Sequence, residues 1–186
     1  MNKKILVFIL FFLILIVGVV FYWNKQQEEL IEVNKNLPEK IKVTKTLAGK
    51  YKIENQIDNY SFIAPEKWGG IKYLEYINEE KNKGYIVSTI EMEGKTQETR
   101  YIMINKFKNN YQVSDLKSWA NKAFEDFGIS HDFKIHQLKN KETVVTRENP
   151  DLINMDVYFF QENGDVYSIM GGSPKFIEEI ITNGKW

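Results

Sequence analysis

The chain contains no cysteine among its 186 residues. That excludes disulfides, thiolate metal sites and a cysteine nucleophile. It also excludes the lipidated cysteine of a lipoprotein or palmitoylated anchor, so any membrane attachment must come from the peptide itself. Net charge is absent too, with 25 basic and 25 acidic residues. Without its first 23 residues the chain keeps 23 basic residues against 25 acidic ones and has no basic stripe, so nucleic acid is not an expected partner. There are only two histidines, His131 and His136, in the fragment HDFKIH. Five residues apart, they would point to opposite faces of a strand, whereas zinc sites favour i, i+2 on a strand or i, i+4 on a helix. No metal and no cofactor are expected.

Catalytic motifs are equally scarce. Residues 114–117 read SDLK, a formal S-x-x-K match, but the companion motifs of penicillin-recognising enzymes are missing and Ser114 stands where a helix needs a cap oxygen. No G-x-S-x-G elbow occurs. Gly69-Gly70 and Gly171-Gly172 lack the spacing of a phosphate-binding loop and read as turns. Carboxylate pairs such as Glu28/Glu29 and Glu178/Glu179 read as solvated charge on a stalk and a helix surface. With no internal repeat and no low-complexity tract, length and composition allow one core plus an appendage.

The longest apolar run occupies residues 5–23, ILVFILFFLILIVGVVFYW, without one charge. At about 1.5 Å per residue it matches the roughly 30 Å hydrocarbon core of a bilayer. Tyr22 and Trp23 close it as interfacial aromatics, Lys3 and Lys4 precede it, and Glu28, Glu29 and Glu32 follow. The positive-inside rule then puts the N-terminus in the cytoplasm and the body outside. A cleaved secretory signal is the competing reading, but such signals have shorter apolar stretches and end in small residues, whereas this run ends VVFYW. We therefore expect an uncleaved single-pass anchor over 1–23 and a stalk or linker over 24–48. The polar stretch up to Leu37 is able to prolong the membrane helix until Pro38, and the lysine-rich residues 39–50 form linker or a ragged domain edge.

Residues 49–186 carry the patterning of one α+β domain. Runs at 51–54, 60–64, 71–77, 85–92 and 101–107 predict strands, with a turn at 68–70. Leu116, Trp119, Ala120, Ala123, Phe124 and Phe127 form one helical stripe, with Ser114 before it and Gly128 after it. Strands over 133–138, 143–147, 157–162 and 165–170 follow, the last two joined by Asn163-Gly164, a strong hairpin signal. A two-residue turn there sets Phe160 opposite Tyr167 and Phe159 opposite Ser168, apolar groups on both faces, so helices must cover both sides of the sheet. The second helix spans 174–183, with Ser173 as N-cap and Gly184 beyond its end.

Three segments carry a family resemblance: the opening NYSFIAPEKWGG (59–70), the central SDLKSWANKAFEDFG (114–128) and the closing NMDVYFFQENGDVYSIMGGSPKFIEEIITNGKW (154–186). Together they resemble the PsbP-like (Mog1/PsbP) family over residues 51–186. The resemblance implies an antiparallel sheet sandwiched between helices (α/β/α) and, in plant and cyanobacterial members, an accessory role at a membrane protein complex. What agrees are turn and core residues, so no catalytic role transfers with it. Aromatics dominate recognition hot spots, and Trp68, Tyr73 and Tyr76 form the candidate recognition surface. The functional expectation is a membrane-anchored, extracytoplasmic binding or accessory module that is not an enzyme. Its expected partners are the lipid bilayer through residues 5–23 and a protein or envelope component near the membrane. A small-ligand sensor using the gap between sheet and helix, and an envelope hydrolase with an unrecognised site, are the alternatives.

Overall fold

In a computed structural model the uncharged N-terminal run is helical, and the helix continues past it: α1 spans Lys3–Lys35. Its apolar side chains from Phe8 to Trp23 are exposed, and it is long and apolar enough to cross a membrane. The structure describes residues 3–64, 68–76, 86–94, 101–108, 115–126, 133–139, 141–147 and 156–186. Two compact units divide the chain, Met1–Asn36 and Leu37–Trp186.

The second unit is α+β, with two antiparallel sheets and two helices. A three-stranded meander comprises β1 (Ile41–Lys45), β2 (Tyr51–Asn55) and β3 (Tyr60–Ala64). The seven-stranded sheet runs β4-β5-β6-β10-β9-β8-β7. Its strands are β4 (Trp68–Glu75), β5 (Ile86–Gly94), β6 (Tyr101–Phe107), β7 (Phe133–Leu138), β8 (Lys141–Arg147), β9 (Asp156–Glu162) and β10 (Asp165–Met170). Helix α2 covers Leu116–Asp126 and α3 covers Pro174–Asn183.

The larger sheet is apolar on both faces, and each face has its own cover. On one, Phe107, Val144, Val157, Phe159 and Val166 pack with Leu116, Trp119, Ala120 and Ala123 of α2. Trp119 is 1% exposed, edge-on to Phe107 with ring centres 5.2 Å apart. On the other face, Ile90, Ile104, Phe160, Tyr167 and Ile169 are buried, and α3 and the meander provide the cover. Trp186 joins them, its ring 4.8 Å from that of Phe160 and 5.1 Å from that of Tyr60. Lys185 extends the meander by pairing with Ser61.

Local chemistry explains the turns. Asn163 and Gly164 both take positive φ (52° and 86°), the two-residue geometry whose twist suits a hairpin, and the β9–β10 register sets Phe160 opposite Tyr167 and Phe159 opposite Ser168 as the spacing predicts. Gly171, after β10, has φ 86°, and a Cβ there would lie 2.0 Å from the Tyr101 carbonyl oxygen. Pro174 opens α3. Ser173 stands at its N-cap without a side-chain cap bond; its carbonyl accepts the Phe176 and Ile177 N–H groups instead.

Several expectations need correction. The linker over 24–48 divides differently. Residues 24–35 continue α1, and residues 41–45 form a strand of the folded unit with Ile41 and Val43 buried beneath an exposed lysine. One sheet between helices becomes two sheets, because the meander shares the second face with α3. The turn expected at 68–70 is the start of β4, with an irregular register between Trp68 and Gly70. Ser114 and Gly128, expected at the ends of α2, lie outside the described residues; Asp115 supplies the cap, its Oδ1 accepting the Ser118 N–H at 2.8 Å.

Trp119→Ala removes the largest side chain under α2 and is expected to cost roughly 3–5 kcal/mol. Gly171→Ala meets a backbone oxygen in a conformation that L side chains avoid and should cost more than about 2 kcal/mol. Denaturant midpoints of the two variants against the parent check both values.

Candidate functional site

The β2–β3 turn begins the clearest polar constellation. Asn55 Oδ1 accepts the N–H groups of Ile57 and Asp58, both at 3.0 Å, and Asn55 Nδ2 donates to Asp58 Oδ2 at 2.8 Å. Asn59 follows at φ 61°, a conformation its short polar side chain tolerates. The folded turn aims Asp58 at the larger sheet, where Ser88 Oγ donates to Oδ2 at 2.8 Å. Lys106 Nζ lies 4.0 Å from Asp58 Oδ1 and 3.0 Å from Asp165 Oδ2, and it approaches the Asp58 carbonyl at 3.4 Å. Asp58 is 5% exposed and Ser88 2%.

Chemically, this cluster holds sheets together rather than presenting a reactive group. The Asp58 carboxylate already accepts an amide and a hydroxyl beside an ammonium, and the Ser88 proton is engaged. On the opposite face of the same three strands a second buried row links Thr89 Oγ1 to Asn105 Oδ1 at 2.7 Å and Asn105 Nδ2 to Ser168 Oγ at 3.1 Å. Polar satisfaction on both faces thus pins β5, β6 and β10 at one level.

The three residues expected to form a recognition surface are placed differently from one another. Trp68 belongs to β4, and its side chain lies outside the described residues. Tyr73 pairs with Ile90 and lies on the meander side of the sheet, where its hydroxyl is buried beside Asp58 and Ser88. Burial, then the Asp58 charge, pushes that phenol up to about 12. Tyr76, whose N–H bonds to the Val87 carbonyl at 2.9 Å, is 45% exposed. Strand alternation puts Tyr76 on the face opposite Tyr73, together with Leu74 and Lys72. Tyr73 and Tyr76 therefore do not share a surface.

On the same face of the sheet as Tyr76, Tyr101 and Met103 of β6 are half-buried on the α2 side. Burial and then a hydrogen bond to Glu91 push the Tyr101 phenol up to about 12, with charge from Tyr76 and Glu93 contributing. Leu74, 39% exposed, and Tyr76 thus lie on an open aromatic and aliphatic patch edged by Glu91, Glu93 and Lys72. The Lys72–Glu93 pair is exposed at 3.7 Å and contributes little. His136 sits exposed on edge strand β7, His131 lies outside the described residues, and no acidic or histidine cluster able to hold a metal occurs among the described residues.

Sequence reading missed Asp58, Ser88 and Lys106. The turn composition NQIDN was a usable signal for Asp58, but Ser88 and Lys106 stand 30 and 48 residues further along the chain. Compared with protein-family models, curated proteins and solved structures, the chain has no match. Architecture alone therefore defines its class: an α+β domain of two antiparallel sheets, preceded by one membrane-length apolar helix.

Asp58→Ala strands Ser88 and Asn55 and leaves Lys106 with Asp165 alone, and is expected to cost roughly 3 kcal/mol, whereas Asp58→Asn keeps an acceptor and should cost about half as much; chemical denaturation separates the two. The raised phenols of Tyr73, Tyr101 and Tyr158, each near 12, set an alkaline limit. These groups stay protonated when folded but ionise near pH 10 when unfolded, so their stabilising contribution is complete below pH 10 and is lost as pH rises through about 12. Melting temperature should fall over that window, and Tyr101→Phe should make the fall shallower.

Proposed function

We propose that this chain is a membrane-anchored binding or accessory module whose domain lies outside the cytoplasm, adopts a Mog1/PsbP-like α/β/α arrangement and recognises a protein partner rather than turning over a substrate. The observation that carries the proposal is the joining, in one chain, of a membrane-length apolar helix to an independently cored domain with an open patch at Leu74 and Tyr76. A helix of this kind confines the domain to a thin layer beside a bilayer, where a modest contact suffices because the partner is held at high effective concentration. Lys3 and Lys4 ahead of the apolar run and acidic residues behind it favour a cytoplasmic N-terminus. The sandwich reading is supported by antiparallel pairing throughout, with α2 and α3 on opposite sides of the larger sheet.

Recognition runs through the β4–β6 patch. Tyr76 and Tyr101 offer rigid, amphipathic rings with few rotatable bonds, and Glu91, Glu93 and Lys72 set the polar rim. Tyr73 takes no part, since its ring faces the interior.

A photoreactive residue at position 76 of the full-length chain in native membranes is expected to give one discrete protein adduct, lost with Leu74→Asp and reduced when residues 1–23 are removed. The same residue at position 73 should give none. Equal labelling from both positions, or no adduct from position 76, overturns the proposal. Protease added outside intact spheroplasts should digest the domain, and protection there contradicts the orientation.

A further inference from the structure

The meander has a second side, with a chemistry of its own. Its inward residues, Ile41, Val43, Tyr51, Ile53, Tyr60, Phe62 and Ala64, are all 5% exposed or less. Alternation therefore turns Lys42, Thr44, Lys52, Glu54, Ser61 and Ile63 outward. The register aligns Lys42 with Glu54 and Ser61, and Thr44 with Lys52 and Ile63. Lys40 stands exposed before β1, and Lys185 pairs alongside Ser61. Four lysines thus gather around Glu54 on this face, with Glu39 at its margin. Glu54 bonds to Lys52, and that bond, with the charges of Lys52, Lys42 and Lys185, holds its carboxyl below the usual range, so the lysine field reaches across all three strands.

The tip of the β1–β2 hairpin supplies the apolar part. Thr46 N–H bonds to the Lys50 carbonyl at 2.8 Å, Gly49 N–H to the Thr46 carbonyl at 2.8 Å and Lys50 N–H to Thr46 Oγ1 at 3.1 Å. This ordered turn leaves Leu47 fully exposed, at 111% of its reference area. Ile63 is 37% exposed on the outer face. A lone leucine held out on a rigid turn among lysines has the composition of an interfacial membrane contact: cationic heads for phosphate, one aliphatic side chain for the acyl boundary.

We propose that the outer face of the meander, with Lys40, Lys42, Lys52 and Lys185 and with Leu47 at its tip, docks on anionic phospholipid headgroups of the bilayer that α1 enters. The inference rests on reading α1 as a membrane anchor. Only the five residues 36–40 separate α1 from β1 in the chain, and they turn, the Ile41 N–H bonding to the Pro38 carbonyl at 2.8 Å, so the meander is the first part of the domain after the helix. Lysine charge and anionic lipid are complementary, while the recognition patch around Tyr76 belongs to a different sheet and stays open to a protein.

Because the chain lacks cysteine, single probes are unambiguous. Full-length protein carrying Leu47→Cys with an environment-sensitive fluorophore would be placed in nanodiscs containing spin-labelled lipid, made of phosphatidylcholine alone or of phosphatidylcholine and phosphatidylglycerol in equal parts. Quenching at position 47 is expected to rise about twofold or more in the anionic discs. It should return to the neutral-disc level with Lys42→Glu plus Lys52→Glu, or when salt is raised from about 0.1 M to about 1 M, which shortens the screening length from about 10 Å to about 3 Å. A probe at Val17→Cys reports the anchor, and one at Lys117→Cys, on the exposed side of α2, reports indiscriminate adsorption. Quenching at position 17 without any at position 47, or quenching at 47 that ignores lipid charge, overturns the docking face while leaving the anchor intact. Equal quenching at 47 and 117 also overturns it. Absence of quenching at position 17 removes the anchor reading, and the docking proposal with it.

Discussion

A sheet with apolar side chains on both faces needs cover on both, and most of this domain follows from that constraint. Phe159 and Phe160, adjacent in β9, point to opposite sides and are both buried. One demands α2, with Trp119 at its centre. The other demands α3, the meander and Trp186. Neither helix has reason to form alone at its length; α3 has ten residues and α2 eleven, below the length at which isolated helices persist in water. Each exists because the sheet supplies a surface for its stripe.

Two apolar faces by themselves would leave the relative placement of sheets loosely specified. Buried polar groups remove that freedom. Ser88 and Lys106, paired across β5 and β6, turn toward the meander and receive Asp58; Thr89 and Asn105, next to them in sequence, turn the other way and join Ser168. Since an unmet buried donor or acceptor is costly, a slip of either sheet past the other breaks several bonds at once. The Asp58 cluster is accordingly a register device, its donors and acceptors consumed within the fold. The two surfaces proposed for other molecules, the β4–β6 patch and the outer side of the meander, lie on different sheets and differ in chemistry: aromatic and acid-rimmed in one case, lysine-rich with an exposed leucine in the other.

Much of the order of elements was legible in the residues. Asn163-Gly164 between two β-rich runs specified a hairpin and its pairing, because a two-residue turn with two positive φ values matches the twist of the strands and keeps them in phase. The spacing of Leu116, Trp119, Ala120 and Ala123 specified α2 and the face it buries. β1 was not legible, since in KIKVTK only Ile41 and Val43 are apolar and the lysines resemble a linker; two inward residues suffice when β2 supplies the pairing. Tyr73 and Tyr76 looked like neighbours on one surface, yet three residues along an extended chain reverses the side, and the buried hydroxyl of Tyr73 records which side that is.

By itself, then, the sequence determined what depends on neighbours along the chain: a membrane-length apolar helix, the central and final helices, the last hairpin, and a β-rich body without thiol chemistry. Tertiary structure alone decided what depends on distant partners: that Asp58 meets Ser88 and Lys106, that a second sheet shares the face with α3, that Tyr101 shares a face with Tyr76, and that Leu47 stands fully in solvent. Local preferences act through a few covalent bonds and repeat with a fixed period, so they can be read from residue spacing. Burial and charge pairing are properties of residues brought together from thirty or more positions apart, and no period in the chain encodes them.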